Sequence, residues 1–137
     1  LLSWQAGANR NNRSCLLQVT GPGFNLLLSG DIEVEAELAL LRELQGDVDW
    51  LMVPHHGSRT SSSPALLNRL RPQWAVIAAG FNNAFHHPHP EIVVRYQNRG
   101  ARVISTAEQG ALTFKADQKG VHSVSSARSA HQRFWSD

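Results

Sequence analysis

VDWLMVPHHGSRTSSSPALLNRLRPQWAVIAAG, residues Val48 to Gly80, decides how the chain folds. VDWLMV reads as a strand and PHHGSRTSSS as its exit loop. Ser63 followed by Pro64 is a helix start, a capping residue with proline at the first helical position, and it opens the helix PALLNRL. WAVIAAG is then a continuous apolar run, the pattern of a central strand covered on both faces. Upstream, SCLLQVT is read as a buried strand, GPGFN as a turn and LLLSGD as a second strand, together a hairpin. Val34, Leu38 and Leu41 mark a helix over Val34 to Leu44, with Glu33, Glu35 and Glu37 where the helix dipole favours acids. Downstream, the loop FNNAFHHPH leads to Pro90, and EIVVRYQNRG is a helix stopped at Gly100. RVIST and ALTFKA are the last two strands. Strands alternating with helices make this an α/β domain over residues 1–116. Residues 117–137 are polar and aperiodic, hence an expected tail, with Phe134 and Trp135 docking back.

At 137 residues and 42% hydrophobic, the chain holds one domain with a core. No apolar stretch approaches the roughly 20 residues that span a bilayer, and no charged start with an apolar run marks a signal peptide. The chain opens at Leu1 and its one methionine is Met52, so a piece of a longer polypeptide is expected. Cys15 has no cysteine to pair with and reads as a small buried hydrophobe. Of 13 basic residues only Lys115 and Lys119 are lysine. Arginine suits bidentate contact with phosphate or carboxylate, and a GC-rich genome gives the same bias.

Three strand exits carry residues suited to chemistry, and in an α/β sheet such exits share one crevice. Asp31 closes LLLSGD, where a carboxylate either faces a ligand or caps the following helix. His55 and His56 leave VDWLMV; on an extended backbone they point to opposite sides, so one can bind a metal while the other supports it. Gly57 and Ser58 allow a tight, anion-friendly turn, and Arg59, Thr60 and the serines extend a polar rim. In HHPH, His87 and His89 have the H-x-H spacing of two rings meeting one ion, or His89 caps the next helix. A structural zinc joining the His86–His89 cluster to His55 is a further alternative, though closed structural sites usually recruit cysteine.

The ordered set LLLSGDIE, LMVPHHGSRTS, AVIAAGFNNAFHHP and ARVISTAEQGAL, over roughly Asn9 to Phe114, resembles the C-terminal metallo-β-lactamase-fold domain of the ComEC family of bacterial competence proteins. The resemblance implies the C-terminal half of an αββα sandwich. It implies Asp31 as a bridging ligand of two divalent ions, Zn or Mn, and either His55 or His56 as a further ligand. Ser58, Arg59, Asn82 and His87 would then line the substrate side. It departs from the family at NRNNRS, with Asn11 or Asn12 where related hydrolases carry a histidine, and it lacks the H-x-H-x-D-H motif of the first half of the domain. The ligand set is therefore incomplete, and the fragment alone is expected to be inactive. The implied activity of the intact domain is metal-dependent phosphodiester hydrolysis during uptake of DNA, with Asp31, His55 and His56 as the catalytic set. Implied partners are single-stranded DNA, the N-terminal half of the same domain and a transmembrane channel. The parent would sit in the bacterial inner membrane, with this segment a soluble domain on a side not determined. A DNA-binding module without catalysis and a small-molecule metallohydrolase are the competing readings.

Overall fold

The computed structural model describes residues 9–130; the docking expected of Phe134 and Trp135 lies outside them. Five strands form one sheet in the order β1 (Leu17–Gly21), β2 (Phe24–Leu28), β3 (Trp50–Met52), β4 (Trp74–Ile77), β5 (Arg102–Ser105). The hairpin β1–β2 is antiparallel, turning at Pro22–Gly23, and β2 to β5 are all parallel. Each parallel step crosses through a helix: α1 (Val34–Leu40), α2 (Pro64–Leu70) and α3 (Pro90–Gln97). Because these strands follow in chain order, crossovers of one hand put all three helices on one face. The core bears this out: Leu27, Leu51, Ala75 and Ile77 of the sheet share a cluster with Leu40, Leu66, Leu67, Leu70, Ile92 and Tyr96. The α/β class expected from the sequence is what forms.

The start of α2 is as read, with the Ser63 hydroxyl accepting from Leu66 N at 3.1 Å. Helix α1 stops at Leu40, short of the expected Leu44, and its capping position is Glu33. Asp31 is thus no helix cap. SCLLQVT is an edge strand rather than a buried one: in β1 only Gln18 and Gly21 are half-buried and the other residues are exposed, and just before it Cys15 is exposed while Leu16 is fully buried.

The expected tail is a correction over its described part, residues 117–130. A single helical turn, α4 (Thr106–Gln109), leads to β6 (Leu112–Asp117), which pairs antiparallel with β7 (Gly120–Ser126), and α5 (Ala127–Ala130) follows. The turn DQKG makes the hairpin: Lys119 N donates to the Asp117 carboxylate at 2.7 Å, and Gly120 takes φ +102°, an aspartate turn closed by glycine. Phe114 of β6 lies edge-on to both Trp50 and Trp74, ring centroids 5.6 Å apart, so this hairpin crosses the sheet face opposite the helices.

Candidate active site

Parallel β2, β3 and β4 end at one edge of the sheet, and the three exits are stitched together. His55 N donates to Gly30 O at 3.1 Å, and His89 N to Gly57 O at 3.0 Å. Asp31 N is held by the Ser14 hydroxyl at 3.1 Å. Gly30 has φ +57°, and a Cβ there would stand 2.8 Å from Ser14 Cβ; the close approach that aims Asp31 needs glycine.

The histidine turn is not extended. His55 (φ 49°, ψ 43°), His56 (φ 55°, ψ 18°) and Gly57 (φ 82°) are three consecutive left-handed residues, a conformation costing each non-glycine residue roughly 1–2 kcal/mol. A Cβ on Gly57 would meet Pro88 Cβ at 2.7 Å. The turn separates the two imidazoles by 6.4 Å between centroids and sends them to different acids.

His56 goes to Asp31, Nε2 to Oδ1 3.4 Å, both side chains close to half exposed. Its Nδ1 stands 2.5 Å from Ala78 O. A carbonyl only accepts, so Nδ1 carries the proton, and in the neutral ring Nε2 turns a lone pair toward the carboxylate. Two acceptors facing each other call for a cation between them, or for a proton on Nε2. The spacing is long for an N–H···O hydrogen bond. It matches the ~3.3 Å between two ligands bound at ~2.0–2.1 Å to one tetrahedral zinc. The pair therefore fits one edge of a divalent-metal site. Two donors do not complete one, and among the described residues no group of three or more His, Cys, Asp or Glu could hold an ion.

His55 goes to Glu33, Nδ1 to Oε1 3.4 Å, with Thr60 Oγ1 at 3.3 Å. Burial alone would raise the Glu33 carboxyl, but hydrogen bonds from Asn9, Asn11 and Thr60, with His55 alongside, hold it below the ordinary value. Asn12 is buried and accepts from Glu33 N at 2.7 Å. The NRNNRS stretch thus reaches the site by way of Glu33, a residue the sequence offered only as a helix-start acid.

The remaining expected residues divide. His87 stands 5.9 Å from His55 and 5.1 Å from His89, and its Nδ1 is buried without a partner among the described residues. Burial first, then the neighbouring His89, His55 and His56, push its pKa down, which favours the neutral ring. With His56, Asn83 and Phe85 it lines a pocket of about 230 Å³. Arg59 is exposed and paired with Glu91 at 2.5 Å. Ser58 is buried and bonded to Thr60 at 3.1 Å. Ser61, Ser62 and Ser63 are buried too and do not form the expected rim. Glu37 accepts from Ser62 N and Ser63 N at 2.5 and 2.7 Å, Arg95 donates to Ser62 O at 2.7 Å, and the Tyr96 hydroxyl donates to Ser62 Oγ at 3.0 Å. Desolvation raises the Glu37 carboxyl and the Tyr96 phenol. The serines anchor the loop that carries the histidine turn.

Asn82 is exposed with φ 53°. The neighbouring Asn83 is what organises its loop, donating to Gly80 O and His87 O and accepting from His87 N at 2.9 Å. His89 occupies the capping position of α3 without a side-chain bond to it. No helix among the described residues is long and apolar enough to cross a membrane.

No protein-family model matches the chain. Curated proteins do. The chain is 36% identical over 113 residues to a protein named competence protein ComA from Neisseria gonorrhoeae, covering 81% of this chain and 16% of that one. It is 34% identical over 109 residues to ComE operon protein 3 of Bacillus subtilis, 79% of this chain and 14% of that one. It is 38% identical over 100 residues to recombination protein 2 of Haemophilus influenzae, 73% and 13%. The chain thus spans 13% to 16% of the length of these relatives.

Proposed function

We propose, for a chain that is homologous to one segment of the ComEC family of competence proteins, a part in DNA uptake as one portion of a metal-dependent phosphodiester hydrolase of the metallo-β-lactamase type. The observation that carries the reading is the facing pair: His56 Nε2, its ring fixed by the Ala78 carbonyl at Nδ1, 3.4 Å from the Asp31 carboxylate at the shared edge of three strands. Asp31 and His56 are the residues that would hold an ion, with further donors supplied from other parts of the polypeptide. A bound divalent ion lowers the pKa of a water toward ~7 and offsets charge on phosphoryl oxygens. Glu33 and Thr60 orient His55 beside the pair. His87 offers hydrogen-bonding capacity to the substrate side, and Arg59, held by Glu91, lies further out. The parent protein, on this reading, is seated in the inner membrane with this segment outside the bilayer.

The test is cleavage of single-stranded DNA by the full-length protein with Mn²⁺ or Zn²⁺. Asp31→Ala and His56→Ala should each abolish it, and His55→Ala should weaken it less. Unchanged cleavage by Asp31→Ala removes the assignment. One observation favours a second reading, a DNA-binding module without catalysis: the described residues supply two donors where a site needs more. That reading expects binding that survives EDTA and falls steeply with salt, with no cleavage by the intact protein.

A further inference from the structure

The loop from Ala78 to His89 holds two phenylalanines in water, Phe81 at 76% and Phe85 at 75% exposure. Slackness does not explain them. Asn83 ties Gly80 and His87 together, Ala79 N donates to the Thr106 hydroxyl at 3.0 Å, His86 N to Asn83 O at 3.0 Å, and His89 N to Gly57 O. An ordered backbone thus forgoes the burial of two aromatic rings, each of which would stabilise a core by about 1.5–3 kcal/mol.

The rings flank the site. Phe85 lies over His87, centroids 5.9 Å apart and planes within 21°, and His87 with His56 walls the pocket of about 230 Å³. Phe81, with Asn82 and His86, borders a second hollow of about 370 Å³ that shares Gly80, Asn83 and His87 with the first. The Arg128 guanidinium sits 5.2 Å from the Phe81 ring centroid. A cavity of roughly 150 Å³ already takes a benzene ring, so each hollow has room for a planar ring system. Amide and imidazole groups stand at the edges of these hollows, Glu108 borders the second, and the Arg128 guanidinium lies beside Phe81, polar surroundings that suit a heteroaromatic ring better than a lipid tail.

We infer that Phe81 and Phe85 are stacking residues for unpaired bases of a single nucleic-acid strand passing the Asp31–His56 edge. The inference rests on the nucleic-acid reading above and deepens it: the substrate is unpaired, because bases inside a duplex have both faces covered. Recognition is tolerant of sequence, because every base offers a π face.

The test is equilibrium binding of fluorescein-labelled dT12, in EDTA and with the full-length protein, against an abasic strand of equal length and charge. Phe85→Ala and Phe81→Ala should each weaken dT12 about 5- to 150-fold and leave abasic binding unchanged. Phe85→Trp should retain affinity. Melting temperatures should not move, since the rings are exposed. If dT12 binds wild type and both alanine variants equally, stacking is overturned while the nucleic-acid reading survives. Equal losses for dT12 and the abasic strand also overturn it, assigning the rings to loop shape. If wild type binds neither strand, both the stacking and the nucleic-acid readings fail.

Discussion

Replacing Glu37 with glutamine separates the geometry of its pocket from its charge. The side chain is fully buried, and its two oxygens accept the amides of Ser62 and Ser63 at 2.5 and 2.7 Å. Glutamine keeps one oxygen and turns an NH₂ toward the second amide, so one buried donor loses its acceptor, a cost of about 1–3 kcal/mol. For a chain of this length that corresponds to a fall in Tm of roughly 3–10 °C. The pH dependence fixes the sign. Burial raises the Glu37 carboxyl above the ordinary glutamate range, so the folded state binds the proton more tightly than the unfolded one. The stability Glu37 contributes is therefore complete below the unfolded pKa and declines as pH rises through the folded value. Glu37→Gln does not titrate. The deficit of the variant should be largest near pH 4 and shrink above it, read from paired thermal melts by circular dichroism across pH. A deficit that grows with pH would mean that the amide bonds outweigh desolvation, and would refute this account.

Other outcomes follow from the site. Calorimetric titration of Mn²⁺ or Zn²⁺ into the full-length protein should show His56→Ala losing at least tenfold in affinity and His55→Ala losing less. Equal losses would mean that the carboxylate–imidazole pair is not the ligand. Asn83→Ala removes three bonds and should cost about 1–3 kcal/mol, with faster hydrogen exchange at the His87 amide. An unchanged exchange rate there would show the loop to be held elsewhere. Gly57→Ala forces a side chain onto φ 82° and into Pro88, and should destabilise by about 2–4 kcal/mol in urea titrations.

The framework was legible because local signals agreed with it. Ser63–Pro64 started a helix where one starts, and WAVIAAG was apolar because β4 has neighbours on both sides. That Asp31 and a histidine share an edge followed from strands ending in the same direction. What stayed hidden depended on torsion angles and distant contacts. Nothing local in PHHG announces left-handed histidines; the two rings do part, but through a tight left-handed turn and not through the extended backbone expected. The buried serines looked like a rim because their partners, Glu37, Arg95 and Tyr96, lie 25 or more residues away. Glu33 was hidden in the same manner, its partners Asn9, Asn11 and Thr60 lying 22 to 27 residues away, whereas Asn83 bonds within its own loop. The hairpin at DQKG was readable: aspartate three residues before glycine is a turn signal, passed over because the flanking strands are polar.

The histidine turn has an evolutionary consequence. Glycine or asparagine at positions 55 and 56 would sit more comfortably on that backbone. Folding by itself would not choose imidazoles there. A lineage that ceased to use the site would be free to drift toward those smaller residues at 55 and 56, while Gly57, wedged against Pro88, could not move at all. The residue pair thus serves as a gauge of use: wherever both rings persist beside an immobile glycine, something other than folding is holding them.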